Sequence, residues 1–145
     1  MRYDIVRMPK TDEAIRKALE PLEPYIAAMY SEQEEEVHGP FQFMMDQFLL
    51  LWSIGGAFTI VKRDDEGNPM LVALCNHYTD MWCSRSRVEI QRLAMGNLLD
   101  EKTERDALIN YLKGVSSLLK FDQLYYNTHY VDGSIYKELV WNDKV

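Results

Sequence analysis

Cysteine is scarce in this 145-residue chain, with Cys75 and Cys83 the two examples. They form no CxxC pair. If 71–83 is one extended strand, its rise of ~3.3 Å per residue sets them too far apart to bridge. Free thiols in a reducing compartment are expected. Long apolar runs are also missing. The most apolar stretch, Phe41 to Ile54, carries Gln42, Asp46 and Gln47 and falls short of the ~20 residues of a membrane span. It predicts a buried helix in a soluble, cytoplasmic protein. The opening MRYDIVRMPKTDE has no apolar segment of the secretory kind, so export is not expected. Basic residues are outnumbered, 16 Lys and Arg against 23 Asp and Glu, for a net charge of −7. That balance argues against a nucleic-acid surface or an anionic membrane as partner. Cys75 and His77 are the one close pair of metal-ligating types, while His38, Cys83 and His129 are scattered. Without a second pair at ligand spacing, no metal site is expected. The GxSxG, P-loop and Rossmann glycine patterns are absent too.

The remaining composition, 47% hydrophobic and 27% charged, is that of one globular domain spanning residues 1–145. The segment 3–8 predicts a strand, stopped by Pro9. Thr11 offers an N-cap for an amphipathic helix over 12–30, carried by Ile15, Leu19, Leu22, Ile26 and Met29. Pro21 and Pro24 should break or kink that helix. The acidic stretch 31–40 connects it to a second helix, about Phe41 to Ser53, ended by Gly55 and Gly56. Two strands joined by a hairpin at Asp64–Asn68 follow, then a strand at 87–95. Leu108, Tyr111, Leu112, Val115, Leu118 and Leu119 mark a helix over 104–121. A strand from Leu124 to His129, a turn at Asp132-Gly133 and a short amphipathic segment ending at Trp141 close the chain. The order β-α-α-β-β-β-α-β-α predicts an α/β (α+β) fold with a mostly antiparallel sheet and one late crossover.

Two stretches give this order a family resemblance. EIQRLAM (89–95) resembles the fourth strand of the GNAT superfamily of acyl-CoA-dependent N-acetyltransferases, and IYKELVW (135–141) resembles that family's C-terminal "lYeklGF" pattern. The resemblance implies a twisted sheet flanked by helices and acetyl-CoA as the cofactor of an active member. It places Tyr136 as the acid that protonates the leaving CoA thiolate and Glu89 as the general base. Main-chain groups of Leu93, Ala94 and Met95 would line the pantetheine slot, where strands four and five splay apart. Asn127 lies near an asparagine that many members carry. The family's pyrophosphate loop, R/Q-x-x-G-x-G/A, would fall on Asp100–Arg105, which reads Asp-Glu-Lys-Thr-Glu-Arg. No glycine remains there. Asp100, Glu101 and Glu104 stand where a polyanion should dock, and Lys102 and Arg105 offset them only in part.

Each candidate also has a plainer reading. Strand alternation alone turns Glu89 outward between Val88 and Ile90. Tyr136, one of nine tyrosines, would simply pack a C-terminal segment, and the slot could be filled by side chains such as Met95 and Tyr126. In length and in its Tyr- and Trp-rich end the chain also resembles the internal virion protein type of T7-like tailed bacteriophages, which keeps the GNAT fold without a clear glycine loop. The expected function is therefore a catalytically silent GNAT-like protein that binds no cofactor. It would act on protein partners, as a virion component or a host-directed protein in the host cytoplasm. An active acyl-CoA-dependent N-acetyltransferase is the alternative, and an unrelated small α+β binding protein is a further one.

Overall fold

The computed structural model describes residues 2–6, 12–28, 39–53, 56–79, 85–95, 99–130 and 132–143. Thr11, the acidic run 32–36, His38, Gly55, Trp82 and Cys83 lie outside them. Strand β1 (Arg2–Val6) leads to helices α1 (Asp12–Leu19) and α2 (Glu23–Ala28), then α3 (Phe41–Ser53). Strands β2 (Ala57–Arg63), β3 (Pro69–Thr79) and β4 (Ser86–Met95) precede α4 (Glu101–Gly114) and the single turn α5 (Ser116–Leu119). The chain ends with β5 (Gln123–His129) and β6 (Ile135–Asn142).

The helix expected over 12–30 is two helices. Pro21 has no N–H to continue the ladder of α1, whereas Pro24 sits in the first turn of α2, where a missing donor costs little. The β2–β3 hairpin forms at the expected place. Asp64 N–H donates to the Asn68 carbonyl at 3.0 Å, and Gly67 takes φ +86, a left-handed angle that suits glycine.

All six strands join one sheet in the order β1-β2-β3-β4-β5-β6. Every pairing is antiparallel except β4 with β5, which α4 connects as a parallel crossover. Alternate residues feed two cores. On one face Ile60, Leu71, Ala73, Cys75, Val88, Ile90 and Leu124 pack against Leu108 and Leu112 of α4. On the other, Val61, Val72, Leu74 and Ala94 pack against Ile26 of α2 and Met45 and Trp52 of α3. Cys75 is a free thiol, and burial pushes its pKa up. No helix among the described residues is long and apolar enough to cross a membrane.

The C-terminal segment differs from expectation. IYKELVWN is strand β6, paired along β5 from Gln123↔Asn142 to His129↔Ile135. Ile135 and Leu139 at i and i+4 suit a helix, but Ile, Tyr, Val and Trp suit a strand equally well. The tie is broken by tertiary structure: β5 has an open edge, and the turn at Asp132-Gly133 aims the chain back along it. There Gly133 takes φ +93, and Asp132 Oδ1 accepts from Ser134 N–H at 2.9 Å.

Candidate functional site

The junction of β4 and β5 holds most of the singled-out residues. The two strands pair over four positions, from Arg87↔Gln123 to Ile90↔Tyr126, and then stop. The cause is on the other side of β4. Its register with β3 passes from Arg92↔Leu74 to Ile90↔Cys75, so Gln91 is an extra, unpaired residue. Such a bulge bends the strand carrying it, and beyond it Leu93, Ala94 and Met95 remain paired only to β3. Two side chains of β5 cross the gap. Asn127 Nδ2 donates to Glu89 Oε1 at 2.5 Å, and His129 Nε2 donates to the Gln91 carbonyl at 2.7 Å. Because a carbonyl can only accept, that second bond fixes the proton on Nε2 and leaves Nδ1 to accept from Arg92 Nη2 at 3.3 Å. Met95 and Tyr126 both pack into the core on the α4 face.

Glu89 is not turned out to solvent as strand alternation suggested; it is 3% exposed. A buried carboxylate needs donors, and it has them. Besides Asn127, Tyr78 donates its hydroxyl to Oε2 at 3.1 Å, and the Lys137 ammonium lies 3.2 Å from Oε1 and 3.4 Å from Oε2. Burial, with the Glu89 charge behind it, raises the Tyr78 pKa above the ordinary tyrosine value. Lys137 reaches in from β6 with its own side chain 57% exposed. The Asn127 Oδ1 atom is buried and has no hydrogen-bond partner.

At the start of α4, Asp100 is the N-cap. Its carboxylate accepts from Thr103 N at 3.0 Å and Thr103 Oγ1 at 2.6 Å, and these bonds hold its pKa below the usual carboxylate value. Glu101 to Arg105 are already helical. Glu104 turns to the sheet and forms a buried ion pair with Lys62 at 2.7 Å. Burial favours neutral Lys62, yet its bond to Glu104 and the charges of Tyr3 and Glu104 outweigh that, and its pKa is raised. Tyr126 donates to Glu101 Oε1 at 3.4 Å; burial, reinforced by the Glu101 charge, pushes its pKa up to about 12. Arg105 stacks 4.7 Å over the Tyr126 ring and bonds Glu138 at 2.8 Å. Lys102 is exposed. A pyrophosphate needs first-turn N–H groups and positive charge. Here a carboxylate of the chain already takes the Thr103 N–H, and Arg105 is engaged by Glu138.

Tyr136 lies on β6 opposite Thr128 and is 56% exposed, so it neither packs a core nor belongs to a helix. It shares the α4 face with Glu138, two residues on, which bonds Arg105. Glu89 points to the other face, between the core residues Val88 and Ile90. The two residues nominated as acid and base are therefore on opposite sides of the sheet. Glu89, Asn127, Tyr78 and Lys137 are brought together instead. Tyr78 and Lys137 were not anticipated from the sequence, and His129 was noted only as a scattered histidine. The one local signal was Asn127 and His129 at i and i+2, which share a strand face. Among the described residues no group of His, Cys, Asp and Glu could hold a metal ion.

No protein-family model matches the chain, and no curated protein does. Solved structures do match. One is a ribosomal-protein-alanine N-acetyltransferase from Brucella melitensis biovar Abortus, 13% identical with a TM-score of 0.59, the match covering 88% of this chain and 80% of that one. Another is an aminoglycoside acetyltransferase from an uncultured soil metagenomic sample, 11% identical with a TM-score of 0.57, covering 90% and 79%. A third is the NatC complex bound to Gag peptide and CoA, 17% identical with a TM-score of 0.50, covering 89% and 76%. The class defined here is one of fold: this chain has the GNAT fold, a six-stranded, mostly antiparallel sheet flanked by helices.

Proposed function

We propose that this chain is a GNAT-fold protein that acts by binding other proteins and not by acyl transfer, as a phage-encoded virion component or a host-directed protein. The observation that carries this reading is the N-terminus of α4, where the Asp100 carboxylate caps the chain's own first-turn N–H and Glu104 is locked to Lys62. With no glycine in Asp100–Arg105, backbone cannot approach a pyrophosphate closely. Each charge-assisted hydrogen bond lost there removes ~1.5–3 kcal/mol of cofactor affinity. Asn127 and His129, bridging β4 to β5, support the same reading, because they occupy the mouth of the opening between the strands.

The test is thermal. Acetyl-CoA at about millimolar concentration should leave the melting temperature unchanged, whereas a bound ligand raises it by mass action. A rise of several degrees would overturn the reading. For the virion role, mass spectrometry of purified particles should detect the chain, and its absence would leave the host-directed role.

A second reading, an N-acetyltransferase using acetyl-CoA, draws on the retained splay between β4 and β5. In that reading Leu93, Ala94 and Met95 hold the pantetheine arm, Lys102 and Arg105 meet the phosphates, and Tyr136 acts as the acid, while Glu89, on the opposite face of the sheet, is not placed to serve as base beside it. It requires the melting shift, followed by a loss of turnover in Tyr136→Phe with the shift intact.

A further inference from the structure

The sheet has two outer edges, built differently. The β1 edge is five residues long and carries Arg2 and Asp4, which pair with each other at 3.4 Å while Arg63 holds Asp4 at 2.9 Å. Shortness and charge are the usual means by which an edge avoids pairing with another chain. The β6 edge is eight residues long, and on it Ile135, Tyr136 and Leu139 are 50%, 56% and 45% exposed. Its two charges are both engaged by the chain itself, Lys137 with Glu89 and Glu138 with Arg105.

We propose that the β6 edge binds a second copy of this chain, antiparallel, with a two-fold axis through Lys137. The geometry restricts the choices. A two-fold axis that continues an antiparallel sheet stands perpendicular to it and leaves each residue on its own face, while directly opposed residues must share a face. The axis must then pass through a residue position and not between two. With the axis at Glu138, Lys137 of each copy would lie opposite Leu139 of the other, a charge set against an apolar side chain. At Lys137, Ile135 of each copy lies opposite Leu139 of the other, so four half-exposed apolar side chains are covered in two equal pairs. Tyr136 then lies opposite Glu138 of the second copy. The two Lys137 side chains meet at the axis, but each is already neutralised by its own Glu89. Apolar cross-strand pairs of this kind are favourable. A single pair of strands covers less than the ~800 Å² per partner of a standard interface, so the dimer should dissociate in the roughly micromolar range.

The experiment is sedimentation or light scattering of the full chain across that range. The average mass should rise from that of one chain toward twice that value at about 100 µM. Leu139→Lys and Ile135→Lys should each hold the chain at monomer mass with its melting temperature preserved. Leu118→Lys, which alters a residue 75% exposed on α5, should dimerise like the wild type. The register is read by oxidation. K137C should form a disulfide-linked dimer, because identical residues on the axis lie at bridging distance, and E138C should not. A wild-type chain that stays monomeric overturns the proposal, as does a dimer untouched by Leu139→Lys. Crosslinking by E138C in preference to K137C overturns the axis. The acetyl-CoA melting test reads a different surface, so either result can fail without the other.

Discussion

Val88 and Glu89 are neighbours on β4, both closed off from water, yet one faces aliphatic side chains and the other faces donors. On the Val88 side, Ile90, Leu108, Leu112 and Leu124 form a core in which any close-packed apolar set of the same volume would serve. On the Glu89 side the contacts are directional. Tyr78, Asn127 and Lys137 each supply a hydrogen to one carboxylate, and they come from β3, β5 and β6. The first face makes the sheet stable. The second specifies how its last strands align, because a shift of β6 by one residue would take Lys137 to the wrong side.

This contrast can be broken by mutation. Leu112→Ala, at the centre of the α4 face, should lower unfolding free energy by about 2–5 kcal/mol, measured by urea denaturation. A smaller loss would mean that α4 can settle into the cavity. Next in size is Lys137→Met. Breaking a fully buried pair costs about 3–5 kcal/mol, but half-exposed Lys137 is screened by water, so roughly 1–2 kcal/mol is expected. In a double-mutant cycle with Glu89→Gln the two losses should not add, and additivity would show that Lys137 is merely near Glu89.

The smallest effect is alkaline. Tyr126 ionises at about 12 in the folded chain against 10.0 when exposed. A raised folded pKa means that its contribution is complete below pH 10 and is lost as pH climbs from there through about 12. Tyr126→Phe should therefore flatten the fall of stability over that interval. An unchanged alkaline profile would assign the fall to Tyr3, Tyr78 and Tyr111, whose pKa values burial also raises.

What could be read from the sequence was local. The Asp64–Asn68 turn and the Phe41–Ser53 helix depend on residues within one turn or one helix of each other, and both form where expected. The resemblance of EIQRLAM and the element order also led to the right fold. The burial of Glu89 could not be read, because its donors Asn127 and Lys137 lie 38 and 48 residues away. The bulge at Gln91 leaves no mark in composition, since it exists only as a mismatch with β3. Ile135 to Asn142 fits two periodicities, and the open edge of β5 decided between them.

The strand order carries a consequence for how the chain comes to be folded. Each strand lies beside the one made just before it, from β1 through β6. During synthesis every new strand thus meets an edge already in place, and only the α4 crossover must wait for a longer segment to emerge. Until β6 turns back at Gly133, the growing sheet ends on β5. The eight-residue β6 then covers the β5 edge, and among the described residues no further strand covers its own.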